Sequence, residues 1–128
     1  MRILVAEDDM ANRKFLEKFL GKYGEVLLAE NGMVAVDTFV EHANKKQYFD
    51  LICLDIMMPK IDGYKALAAI RDAEKKLETP RASIIMISAL DEVGELISQS
   101  NGDYDSYISK PIDLTKFSMM LKELGLIS

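Results

Sequence analysis

Five short apolar runs, separated by segments of helical spacing, restrict what this chain can fold into more than any other feature. The runs are Ile3 to Ala6, Val26 to Ala29, Leu51 to Leu54, Ser83 to Ile87 and Tyr104 to Ile108. Each is strand-sized, and the first four are nearly continuous rather than alternating, as strands read when helices cover both faces of a parallel sheet. The intervening apolar residues recur every three or four positions. Phe15, Leu16, Phe19, Leu20 and Tyr23 form one stripe; Val36, Phe39, Val40 and Ala43 a second; Tyr64, Leu67 and Ile70 a third; Val93, Leu96 and Ile97 a fourth; Leu114, Phe117, Leu121 and Leu124 a fifth. Asp9, Asp62, Asp91 and Asp113 stand where helix N-caps belong, and Gly24, Gly102 and Gly125 where helices should stop.

The order is therefore strand then helix, five times over. Such alternation predicts an α/β, flavodoxin-like doubly wound (βα)5 fold: a five-stranded parallel sheet of order 2-1-3-4-5 with right-handed crossovers. In that order the winding reverses between the first and third strands, and ligands bind beyond the carboxyl ends of those strands. The 128 residues suit one domain spanning 1–128, with no output domain expected after the last helix.

A net charge of −5 without a cluster of Lys or Arg argues against binding nucleic acid or an anionic membrane by charge. The lone Cys53 sits inside an apolar run, which fits a buried, reduced thiol. Met1 stands directly before the first strand, leaving no room for a signal peptide, and no stretch approaches the roughly 18 apolar residues of a membrane span. The chain reads as cytoplasmic.

The chemically unusual residues fall on one predicted edge. The first strand runs into Glu7, Asp8 and Asp9, the third ends in Asp55, the fourth in Ser88, and the fifth in Lys110 and Pro111. With Glu7, Asp8 and Asp55 ionised against one Lys110 ammonium, two negative charges remain, and a divalent cation balances them. Hard oxygen donors suit Mg²⁺, with Mn²⁺ able to substitute, and no Cys/His set argues for zinc. A carboxylate beside such an ion can attack a phosphoryl donor, making Asp55 the candidate nucleophile. Lys110 then supplies a fixed point charge and Ser88 a hydroxyl donor to the product.

At these residues a resemblance becomes specific. ILVAEDD (Ile3 to Asp9), LICLDIMMPKIDG (Leu51 to Gly63), Ile87-Ser88-Ala89 and YISKP (Tyr107 to Pro111) are similar to the four signature blocks of response-regulator receiver domains, and the likeness covers essentially the whole chain. The resemblance implies Asp55 as phosphoacceptor and Asp8, Asp55 and the backbone carbonyl of Met57 as metal ligands. It implies Glu7, where the family more often has Asp, as a site carboxylate acting largely through water. Ser88 and Tyr107 match the hydroxyl and aromatic positions that move together as a switch. The implied partners are a histidine kinase or phosphotransfer protein, then a protein target at the face of the fourth helix, fifth strand and fifth helix, with the chain a monomer or a phosphorylation-dependent dimer.

Plainer roles stand beside these. Asp9 reads as an N-cap rather than a third metal ligand, His42 as a residue without chemical duty, and Met119 and Met120 as packing or surface residues. Small-molecule phosphatases that use an aspartyl-phosphate place a second carboxylate two residues after the nucleophile, and here that position is Met57. A receiver-like domain that binds partners without phosphorylation, or one cut from a hybrid kinase, is the third reading.

Overall fold

A computed structural model describes residues 1–89 and 103–128. The strands are β1 (Arg2–Ala6), β2 (Glu25–Ala29), β3 (Leu51–Asp55), β4 (Ser83–Ala89) and β5 (Ser106–Lys110); the helices are α1 (Met10–Leu20), α2 (Gly32–Asn44), α3 (Gly63–Leu77) and α4 (Leu114–Glu123). The predicted stripe of Val93, Leu96 and Ile97, with Asp91 and Gly102, lies outside the described residues. All five strands pair in parallel in the order β2-β1-β3-β4-β5. The flavodoxin-like fold is as the sequence predicts.

Capping fixes where the helices begin. Asp9 accepts from the N–H groups of Ala11 (2.8 Å) and Asn12 (3.2 Å), Asp62 from Lys65 (3.0 Å), and Asp113 from Thr115 (2.9 Å). Each satisfies a donor that the first helical turn cannot. Asn31 caps α2 in the same way through Val34 N–H at 2.9 Å, a start the sequence reading missed. Gly125 follows α4 at φ +75°, a left-handed position suited to glycine. Gly24 does not end α1, which stops at Leu20 with Gly21 as its cap. A Cβ on Gly24 would lie 2.0 Å from the Met1 carbonyl oxygen, so glycine there admits a close passage of backbone.

The sheet separates two apolar layers. On one side Leu4, Ile52, Leu54, Ile84 and Met86 pack with Ala35 and Phe39 of α2 and Ala66, Leu67 and Ile70 of α3. On the other, Ile3, Val5, Leu51, Cys53, Ile85, Ile87 and Ile108 pack with Leu16, Phe19 and Leu20 of α1 and Phe117 and Leu121 of α4. Strand side chains alternate between faces, so the central strands must be apolar throughout, and β3 is buried along its whole length. The edge strand β2 is not, with Glu25 exposed. The fifth strand starts at Ser106, two residues later than the predicted start at Tyr104; just before it the Asp105 carboxylate takes the Ile84 N–H at 2.8 Å.

Candidate functional site

The register carries Glu7, Asp55 and Lys110 to one place. Strand β3 lies between β1 and β4, with Val5 opposite Cys53, Ala6 opposite Leu54 and Asp55 opposite Ile87. Glu7 continues the alternation of Ile3 and Val5, Asp55 that of Leu51 and Cys53, and Lys110 that of Ile108. All three therefore belong to the face covered by α1 and α4. The Lys110 ammonium donates to Asp55 Oδ2 at 2.7 Å and stands 3.4 Å from Glu7 Oε2. Met57 N–H donates to Asp55 Oδ1 at 3.1 Å, and Asp9 N–H to Glu7 Oε1 at 3.2 Å. Asp8 is exposed at the rim, whereas Glu7 and Asp55 are buried.

Crowding two carboxyls under a sheet edge has a cost, which protonation relieves. Burial, then the hydrogen bond and negative charge of Asp55, push the Glu7 carboxyl up to about 8, although Asp9 N–H and Lys110 oppose this. Burial would lower the Lys110 ammonium, but its hydrogen bond to Asp55 and the charges of Asp55 and Glu7 outweigh that and raise it above the ordinary lysine value. The sequence reading took Glu7 as ionised; near neutral pH without a metal ion it keeps its proton. A third carboxylate beside two others is expelled as charge unless a cation arrives.

The donor set fits a hard divalent cation. One oxygen from each of Glu7, Asp8 and Asp55 lies within 4.8 Å of the others. Glu7 Oε2 is buried and, beyond its 3.4 Å ion pair with Lys110, makes no hydrogen bond of good geometry among the described residues. Carboxylate oxygens with an open, exposed side suit Mg²⁺, which retains several waters.

Ser88 and Tyr107 lie on the opposite face. Ser88 extends the alternation of Ile84 and Met86, and Tyr107, paired with Met86 in register, packs on the α2/α3 layer. The Ser88 hydroxyl is fully buried without a hydrogen-bond partner among the described residues. Tyr107 meets Tyr104 edge-on, with ring centroids 6.3 Å apart. Met57 is 65 % exposed, and its backbone N–H is engaged with Asp55. His42 Nδ1–H donates to the Thr38 carbonyl (2.9 Å), and its ring lies tilted beside Phe49 with centroids 5.4 Å apart, a structural role.

Sequence reasoning passed over Gly63, which opens α3 beneath the site. Its N–H donates to the Ile56 carbonyl at 2.9 Å, and an added Cβ would stand 2.5 Å from the Asp55 carbonyl oxygen and 2.8 Å from Ile56 Cα. Both neighbours are backbone and cannot swing aside. Gly63→Ala is expected to cost about 2 kcal/mol or more in denaturant unfolding, by overpacking; a loss below about 0.5 kcal/mol would show that the loop yields.

Comparison with known proteins agrees with this geometry. The family model described as "Response regulator receiver domain" matches residues 3–122. The chain belongs to the response regulator receiver family. It is 30 % identical over 120 residues to the peroxide stress-activated histidine kinase mak1 of Schizosaccharomyces pombe, covering 93 % of this chain and 7 % of that protein. It is 40 % identical over 111 residues to the probable transcriptional regulator ycf27 of Galdieria sulphuraria, covering 86 % and 39 %. The chain thus spans less than half the length of these curated relatives. Among solved structures, the receiver domain of the histidine kinase CKI1 from Arabidopsis thaliana, complexed with Mg²⁺ and BeF3-, aligns at TM-score 0.81 and 29 % identity over 97 % of this chain and 89 % of that one. The receiver domain of Ssk1, solved with the histidine phosphotransfer signalling protein Ypd1 of Saccharomyces cerevisiae, aligns at TM-score 0.79 and 26 % identity over 98 % and 88 %. Among the described residues no helix is long and apolar enough to cross a membrane.

Proposed function

We propose that this receiver accepts a phosphoryl group on Asp55 from a phosphohistidine of a histidine kinase or phosphotransfer protein, and signals through protein contacts. The observation that carries the reading is the 2.7 Å contact of Lys110 with Asp55 inside a convergent set of three carboxylates. A structural salt bridge needs one acid; where three carboxyls converge beside one lysine, the excess charge is met by a proton on Glu7 or by a bound cation.

The chemistry divides among the residues as follows. An Asp55 carboxylate oxygen attacks phosphorus; the P–O bond forms as the P–N bond breaks and its electron pair returns to the imidazole nitrogen. Asp8, Asp55 and the Met57 carbonyl would hold Mg²⁺, with Glu7 acting largely through water, and the ion when bound would neutralise charge on the phosphoryl oxygens. Met57 N–H and Lys110 orient the attacking carboxylate beforehand, and Lys110 then faces the transferred group as a fixed cation. The Ser88 hydroxyl, without a hydrogen-bond partner among the described residues, is available to donate to the phosphoryl oxygens. Its movement would open space beside Tyr107 on the same face, giving a two-state element that phosphorylation biases. The receivers solved with Mg²⁺ and BeF3-, and with Ypd1, support the same reading by likeness. A small-molecule phosphatase is disfavoured because no second carboxylate follows Asp55 at Met57.

Intact mass after incubation with Mg²⁺ and a small-molecule phosphodonor tests this. The expected result is one added phosphoryl group on the wild type, absent from Asp55→Asn and from a sample with EDTA. Phosphorylation persisting in Asp55→Asn would overturn the assignment.

A further inference from the structure

Among the described residues, Arg13 is a basic side chain that reaches the acidic turn from outside the strand ends. It lies in the first turn of α1, where its own N–H donates to the Asp9 carbonyl at 2.9 Å. Its guanidinium folds back along the helix start, and one terminal nitrogen donates to the Glu7 carbonyl at 2.8 Å and the Asp8 carbonyl at 3.1 Å. These carbonyls belong to the two acids that would hold the metal ion.

Backbone accounting shows why the contact matters. Strand β1 ends at Ala6, and the last ladder bond on this side runs from Glu7 N–H to the Ala29 carbonyl at 3.1 Å. Past that bond the chain leaves the sheet, and the carbonyls of Glu7 and Asp8 need partners from elsewhere. Arg13 supplies both. Fixing a carbonyl fixes the peptide plane, and two consecutive planes fix the direction of the Cα–Cβ bonds between them. Glu7 is also held by burial and by Asp9 N–H. Asp8 is exposed, so the turn's backbone is what aims its carboxylate.

We infer that Arg13 is a positioning residue for divalent-cation binding: it acts through the peptide carbonyls of Glu7 and Asp8, aiming their carboxylates at Asp55. The inference rests on the proposed Mg²⁺ site. Arg13 does not touch the ion or the phosphoryl group. One terminal nitrogen of its guanidinium serves both carbonyls, so a single side-chain group ties the two peptide planes together. Outer groups that orient ligands typically change metal affinity 10- to 100-fold when removed.

The test is direct binding of Mg²⁺, with Mn²⁺ as a second probe, followed by titration calorimetry without any phosphodonor, on wild type, Arg13→Ala, Arg13→Gln and the neighbouring control Lys14→Ala. Arg13→Ala should weaken binding about tenfold or more, while Lys14→Ala stays within about twofold. Arg13→Gln, which keeps an amide donor but no charge, should recover part of the loss if peptide orientation is the cause. Tighter binding in both variants, the sign expected when a positive charge is removed beside a cation site, would overturn orientation in favour of bare charge. Affinity of Arg13→Ala within about twofold of wild type would overturn the inference alone. Failure of the wild type to bind either ion would instead remove the metal site on which it rests. Circular dichroism of the metal-free variants separates a misfolded Arg13→Ala from a misaimed one, and Arg13→Gln then carries the decision.

Discussion

Arg71→Met is expected to lower the unfolding free energy by about 3–5 kcal/mol, the penalty for leaving buried charge unpaired. Arg71 sits on α3 and is 8 % exposed. Its Nε donates to the Asp103 carbonyl (2.8 Å), one terminal nitrogen to Glu74 Oε1 (2.9 Å) and the Ala82 carbonyl (2.8 Å), and the other to Asp105 Oδ2 (3.0 Å). The two acids have backbone duties of their own: Glu74 accepts from Ala82 N–H at 2.7 Å and Asp105 from Ile84 N–H at 2.8 Å. Removing the guanidinium leaves Glu74 buried without a cation and two carbonyls without donors. Arg81, 2.6 Å from Asp105 Oδ1, softens the loss at that end only. Against a total of about 5–15 kcal/mol for an ordinary domain, this threatens folding near body temperature. Chemical denaturation measures it. The companion Arg71→Met/Glu74→Met should recover much of the loss, because replacing a whole buried pair by apolar groups is far less costly than breaking it. A single variant within about 1 kcal/mol of wild type would mean the network is solvated rather than buried.

The second large effect is a loss of stability with rising pH in metal-free protein, carried by Glu7. Its carboxyl is held at about 8 when folded against 4.5 ordinarily, by burial first and then by Asp55. The folded state therefore binds this proton more tightly than the unfolded state. The stability it contributes is full below about pH 4.5, declines as pH rises, and is gone above about 8. Between pH 6 and 9 the linkage amounts to about 2 kcal/mol, or roughly 8 °C in midpoint for a chain of this size. Thermal melts in EDTA across that range should fall in wild type and stay nearly flat in Glu7→Gln, whose amide carries no proton to lose. Added Mg²⁺ should rescue the wild type most at high pH, where Glu7 is ionised and ready to bind. A melting point independent of pH in wild type would show that water screens the pair.

Much of the fold was legible because its signals are local. Four apolar runs without alternation declared strands covered on both sides, and Asp9, Asp62 and Asp113 declared helix starts through bonds that span two or three residues. The site was legible for a related reason: strand order, once inferred, brings Glu7, Asp8, Asp55 and Lys110 together without any side-chain detail. What escaped notice depends on distant partners. Nothing around Arg71 announces that Asp103 and Asp105, more than thirty positions on, will meet it, and Gly63 looks like any helix-start glycine until the Asp55 carbonyl is seen against it. Asn31 carried a capping signal, but Gly32 behind it lowers helix propensity and obscured the start. The raised proton affinity of Glu7 in the metal-free protein was not legible, because burial, its largest cause, is not written in the residue type.

The partition of the sheet into two unconnected apolar layers has a consequence for how such a molecule diversifies. Glu7, Asp55 and Lys110 are extensions of the strand positions that face α1 and α4, while Ser88 and Tyr107 extend those that face α2 and α3. The strand backbone is common to both, and in the proposed reaction the Ser88 hydroxyl joins them at the phosphoryl group. Substitutions deep in the layer around Tyr107 therefore reach the carboxylate cluster only indirectly, so that side of the molecule has room to vary while Ser88 keeps the link.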